Sequence, residues 1–219
     1  MTMKGEQAQS PTVEELKDSH QFQLLAELTH KELATFVADY YWKKKSWVTV
    51  AHYLFSLVIV AVWVFVGLQK HLSFDVWLTT FGNGVVIFIV LLPLHEAIHG
   101  AVYKICGAKD VRYGVSFKQF YAYAIAHRFV AGRTAFAFVA ITPFVVINTL
   151  LGLASVMFPE HRFFLLAVRL LHTAGTSGDW AMLNFLWLHR RQDVYTFDDA
   201  EQKKSYFYKR DESVNASPA

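Results

Sequence analysis

His95-Glu96-Ala97-Ile98-His99 sets two imidazoles four residues apart. On a helix this spacing puts both rings on one face, so the pair can grip a single metal ion, and the HExxH pattern suits zinc. Glu96 projects toward the same place. It can take a proton from a water polarised by the ion and later deliver it to a leaving amine. From the chain's own His and Glu frequencies the pattern arises by chance roughly 2 times in 100, so its setting has to decide.

The setting is apolar. Val85 to Leu94 form a run of aliphatic residues, one Phe and one Pro directly before the motif. Ionisable residues deep in such a run are costly unless something compensates them, and a bound metal does so. The competing explanation is a hydrogen-bonded polar cluster that holds helices together. Cys106 is the only cysteine, which excludes an internal disulfide and a Cys-rich zinc site. The third ligand must therefore be another His or a carboxylate. Depth selects it. At 1.5 Å per residue, counted from an end at Ile105, His95 and His99 lie roughly 9–15 Å inside, and Asp179, counted from Leu188, lies about 14 Å inside. His172 falls about 24 Å inside on the same scale, too far to share the ion. Asp193, Asp198 and Asp199 fall outside the apolar spans. Asp179 follows Gly175-Thr176-Ser177-Gly178, small residues that allow helices to approach closely. Its competing role is a pair with Arg169 or a hydroxyl. His127 and Asn148 are candidate substrate-binding residues, with a surface histidine and an interhelical hydrogen bond as their alternatives. His172 reads as a buried polar contact between helices.

The elements that must carry these residues are mostly membrane spans. Apolar residues make up 54% of the 219, gathered in runs that charges rarely interrupt. Four spans are predicted: Ser46 to about Leu68, about Val76 to Ile105, about Thr134 to Met157, and about Phe163 to Leu188. Eighteen of the 21 Lys and Arg fall in residues 1–45, 104–133 and 189–219, which places both termini and the long connector in the cytoplasm. With basic residues flanking apolar spans, no nucleic-acid footprint is read from the charge of +3. No signal peptide is expected, because the first 45 residues lack an apolar run.

Thr12-Val13-Glu14-Glu15 and Thr29-His30-Lys31-Glu32 have the form of capping boxes, predicting helices that start near Val13 and near Lys31. Leu33, Phe36, Val37 and Tyr40 share a face of the second, which is expected to lie on the membrane or on the helical core. Val111 to Ser116 and Tyr121 to Ile125 alternate, predicting a small hairpin whose edge could align an extended substrate or simply cap the helix ends. Residues 1–11 and the chain's end read as disordered, with one short strand after Tyr195. The expected fold is thus an all-α polytopic membrane protein of four spans, with amphipathic N-terminal helices and a cytoplasmic β-hairpin. Its regions are 1–45, a cytoplasmic helical segment; 46–190, the membrane domain; and 191–219, a cytoplasmic polar tail.

Leu94-His95-Glu96-Ala97-Ile98-His99-Gly100 and Gly178-Asp179 resemble the motifs of a bacterial family of short membrane zincin peptidases, and are similar to those of site-2 protease type intramembrane zinc metalloproteases. The resemblance covers roughly residues 75–190. It implies that His95, His99 and Asp179 bind Zn2+, that Glu96 is the catalytic base, and that the protein resides in the bacterial inner membrane and cleaves a membrane or membrane-proximal peptide. Ser177-Gly178-Asp179-Trp180 departs from the Asn-Pro-Asp-Gly or Leu-Asp-Gly usual in site-2 proteases. Thr142-Pro143 and Asn148 do not reproduce their Gly-Pro-x-x-Asn spacing. A metal-binding scaffold or chaperone without proteolysis is the second reading. A small proton-relay transporter is the third, disfavoured because four spans leave little room for a pathway.

Overall fold

The structure, a computed structural model, describes residues 10–18, 20–29, 31–116 and 121–211. His30 of the second capping box, the hairpin tip 117–120, and the termini 1–9 and 212–219 read as disordered lie outside the described residues. The chain opens with α1 (Val13–Leu16), started by the expected capping box between Thr12 and Glu15. It then forms β1 (Phe22–Thr29), α2 (Leu33–Val37) and a π-helical turn, Ala38–Lys43. Three long helices follow: α3 (Trp47–Gln69), α4 (Phe74–Ile105) and, after the antiparallel hairpin β2 (Val111–Ser116) and β3 (Tyr121–Ala126) and the short β4 (Ala131–Gly132), α5 (Arg133–Met157). The chain ends with α6 (Arg162–Gly175), α7 (Ser177–Leu188), β5 (Val194–Asp199) and β6 (Lys204–Arg210).

Helices α3, α4 and α5 are long and apolar enough to cross a membrane. Their outward faces leave large apolar residues exposed, among them Leu54, Leu57, Val58 and Phe65 on α3, Val86, Ile89 and Val90 on α4, and Leu150 and Leu153 on α5. Aqueous proteins rarely present such surfaces. Among the described residues there are three such helices, not the four expected. The segment Phe163–Leu188 is not one helix but two, broken at Thr176. Two glycines flank the break, and glycine is a poor helix former. The Thr176 hydroxyl donates to the Thr173 carbonyl at 2.7 Å, satisfying a backbone group the break frees. Gly175 is also needed sterically: a Cβ there would stand 2.6 Å from the Phe88 ring.

The fold is not all-α. An antiparallel four-stranded sheet of order β1-β6-β5-β4 draws its strands from both ends of the chain and from the segment before α5. β1 falls within the N-terminal segment 1–45 that is expected to be helical, and its Leu, Ala and Glu residues do favour helix. Pairing with β6 over Phe22↔Arg210 to Thr29↔Lys204 overrides that preference. A bulge between Leu24 and Ala26 interrupts the period-2 pattern that would have betrayed the strand. The polar tail supplies two strands where one was expected, joined by a turn in which Lys203 has φ 54.

One face of the sheet packs Phe197, Tyr206 and Tyr208 with Val13, Leu16 and Phe22. The other packs Phe207 and Val194 on Phe36, Tyr41, Ala181, Phe185 and Leu186. Phe36, Val37 and Tyr40 therefore serve the protein core, in line with the second of the two settings expected for their shared face. Helix α7 is held on the sheet through Phe185 against Phe207, ring centroids 4.9 Å apart. At its middle Asn184 accepts from the Ser46 hydroxyl and donates to the Tyr40 and Lys44 carbonyls at 2.6 Å. Its C-terminal end meets the start of α5, where Arg133 donates to the carbonyls of His189 and Gln192.

Candidate metal centre

His95, Glu96 and His99 sit on α4 two to three turns before its end, and Asp179 in the first turn of α7. A carboxylate in a helix's first turn is favoured by the helix dipole. The break at Thr176 is thus what makes Asp179 a first-turn residue. His95 and His99 are buried. Their Nε2 atoms stand 3.0 Å apart. His95 Nε2 is 3.3 Å from Asp179 Oδ2, and His99 Nε2 is 3.3 Å from Asp179 Oδ1. Tetrahedral zinc with bonds of about 2.0–2.1 Å separates its ligand atoms by about 3.3–3.4 Å. The three side chains suit such an ion: the two Nε2 atoms and the Asp179 carboxylate converge at close to that spacing, and three protein ligands would leave a fourth position for water.

The far side of each ring is also engaged. His99 Nδ1 donates to the Val139 carbonyl of α5 at 2.9 Å, so Nε2 would be the nitrogen to offer its lone pair to a bound metal. His95 Nδ1 lies 3.2 Å from His172 Nε2 on α6. Behind it, His172 Nδ1 lies 3.3 Å from the Asn148 amide, whose Oδ1 accepts from Thr173 at 2.8 Å and from Arg169 at 3.4 Å. A straight fourth span had set His172 some 9 Å deeper than His95. The separate course of α6 brings it level with that ring. Asn148, a candidate substrate group, is buried in this chain behind His172 and does not line the cavity at the site.

That cavity encloses about 530 Å³. His95, Glu96, His99 and Asp179 line it together with Tyr103, the β3 segment Ala122–Ile125, and Asp198, Ser205 and Phe207 of the sheet. The Glu96 carboxyl and the Ala124 N–H of β3 share this wall of the cavity. Gly100 makes room for the hairpin, since a Cβ at Gly100 would stand 2.0 Å from the Tyr113 hydroxyl. His127, the other candidate substrate group, is not on the cavity wall. Its Nδ1 accepts from the Ala200 N–H at 3.1 Å, and its Nε2 lies 3.9 Å from Glu201, so it ties the hairpin to the β5–β6 turn.

Tyr103, Asp198 and Ser205 were not singled out from sequence. Tyr103 carried a readable signal, because it continues the face of His95 and His99 by one further turn. Asp198 and Ser205 carried none. They reach the cavity only because β5 and β6 pair, Asp198 opposite Ser205.

Residues 88–194 match a family described as "Putative zincin peptidase". No curated protein and no solved structure matches the chain. The matched segment holds His95, Glu96, His99 and Asp179 and stops before Asp198. It supports a zincin-like family and suggests a metallopeptidase, for which zinc is the implied cofactor.

Proposed function

We propose that this protein is a zinc metallopeptidase that hydrolyses peptide bonds in membrane-embedded or membrane-proximal segments. The observation that carries the reading is the meeting of His95, His99 and Asp179 at ligand spacing beside Glu96, on the wall of a cavity large enough for several residues of peptide. A zinc ion held there supplies Lewis acidity for the scissile carbonyl and the attacking water. The chain's own groups do the rest. Glu96 takes the proton of the attacking water and passes it to the leaving amine. Val139 and His172 hold the two imidazoles in one ring orientation. Helices α4, α5 and α7 wall the site from bulk solvent, which strengthens every charge interaction inside it.

Strand β3 pairs with β2 on one side, and among the described residues no strand lies along Ala122–Ile125 on the other. This stretch lines the cavity, so an extended substrate is proposed to lie along it by backbone pairing. The sheet and the hairpin are built from the segments rich in Lys and Arg, which supports a cytoplasmic face for the site and for both termini. Substrate then enters from that face.

The test is elemental analysis and peptide cleavage by purified wild type, Asp179→Ala and Glu96→Gln. One zinc per chain in wild type, lost in Asp179→Ala and kept in Glu96→Gln with cleavage abolished, is the expected pattern. A Glu96→Gln protein that keeps the biological activity would favour the scaffold reading and overturn the enzyme.

A further inference from the structure

Asp198 is the carboxylate of the cavity that the proposed chemistry leaves unused. Asp179 faces the two imidazoles, and Glu96 serves the water. Asp198 belongs to the sheet, which also lines the cavity. Its Oδ1 accepts from the Ser205 hydroxyl at 2.5 Å, straight across the β5–β6 ladder. Among the described residues no cation pairs with it. The basic residues of the neighbouring segments are committed elsewhere: Arg128 to Glu14, Lys204 to Glu27 and Arg112 to Asp110. Burial pushes its carboxyl up to about 6, with the Ser205 hydrogen bond pulling the other way. It is thus still an anion at neutral pH.

The lining of the cavity holds no Lys and no Arg among the described residues. Leu33, Val37, Phe136 and Phe207 supply apolar lining to the same cavity. An anion set among apolar groups without a counter-ion is unfavourable unless a ligand supplies the opposite charge. The site is also continuous with the metal centre, because Asp198, Tyr103 and Asp179 line the same cavity.

We propose that Asp198, oriented by Ser205, is a substrate-specificity subsite that receives a cationic nitrogen of the peptide. That nitrogen is a Lys or Arg side chain a few residues from the scissile bond, or a free α-amine. The apolar lining accepts the aliphatic stem of a basic side chain, and the carboxylate meets its head. This rests on the peptidase reading for the identity of the ligand, but the subsite is read by binding and not by turnover. Asp198 lies beyond the segment that matches the zincin family, so the preference belongs to this chain's own sheet.

The experiment uses full-length, zinc-loaded Glu96→Gln protein in detergent and isothermal titration with three capped-length Ala/Leu/Ser decapeptides. One is N-acetylated with a single internal Lys, one is N-acetylated with Gln at that position, and one has a free N-terminus and no Lys. The Lys or the free-amine peptide is expected to bind on the order of tenfold more tightly than the Gln peptide, and which of the two does so identifies the source of the cation. Asp198→Asn, which retains an acceptor for Ser205, is expected to bring the ratio to about one, and Asp198→Lys to reverse it. Equal affinities in the parent protein, no binding of any peptide, or a preference that survives Asp198→Asn overturns the subsite. Cleavage by the Glu96 protein separates the two ideas: turnover of all three peptides at equal kcat/KM removes the subsite and leaves the peptidase, whereas tight Lys binding with no turnover of any peptide does the reverse.

Discussion

The candidate centre has two halves built in different ways. Helix α4 supplies His95, Glu96 and His99 within a single turn, and the helix period alone puts the two rings on one face. Helix α7 supplies Asp179 through long-range structure. It needs the break at Thr176, the polar anchor of Asn184 on the entry to α3, and the Phe185–Phe207 contact with a sheet closed by the two ends of the chain. Damage to the first half should therefore be local and chemical, while the second half can be lost from a distance, without touching any ligand.

Asp179→Ala breaks the comparison most severely, since one donor removed from three should leave zinc below stoichiometric amounts after dialysis, measured by elemental analysis. Glu96→Gln is next and acts on the other side of it: metal content stays, while cleavage falls by about 10²–10⁴-fold, read as kcat on a peptide that wild type turns over. Phe207→Ala sharpens the contrast, because it lies on the sheet. Truncating this buried ring should destabilise the protein by about 3–5 kcal/mol and weaken zinc retention through α7, seen in chemical denaturation alongside metal content. If zinc affinity were untouched in the folded variant, the sheet would not be what positions Asp179.

His172→Leu has a smaller effect, on α4's side. It removes the group facing His95 Nδ1, and zinc affinity should drop about 10–100-fold in a chelator competition, with the fold intact. Asp198→Asn is the smallest. Its carboxyl is raised above the ordinary value of 3.8 to about 6, so the favourable contribution of the neutral form is complete below about pH 4 and disappears as pH rises through 6. The variant should be about 1–2 kcal/mol more stable than wild type at pH 7, with the difference vanishing at pH 4, in denaturation curves across that range.

How far each half was legible follows from the same distinction. The apolar runs of α3, α4 and α5 read directly, because a membrane-crossing helix declares itself in its own residues. The capping box at Thr12 did too. Asp179 emerged from a depth argument that took Phe163–Leu188 as one straight rod. The rod is wrong, and the same assumption set His172 apart from the ring it faces. Asn148 and His127 are candidate substrate groups by sequence, with an interhelical bond and a surface histidine as alternatives, and the structure puts Asn148 behind His172 and His127 against the β5–β6 turn. The sheet was the largest omission. Only its β5–β6 portion is foreshadowed in the sequence, as one strand, and β1 lies in the N-terminal segment expected to be helical.

By itself the chain's order of residues determined where the long apolar helices run, that two imidazoles share one face, and that a glutamate accompanies them. Those features depend on neighbours within a turn or on the composition of one segment. Only the tertiary structure decided that the fourth apolar segment breaks, that His172 backs His95, and that Asp198 faces the cavity. Each of these depends on pairing between residues far apart in the chain, such as Asn184 with Ser46 or Phe22 with Arg210. Local periodicity holds no record of such partners, since the energy that selects them resides in the packed interface.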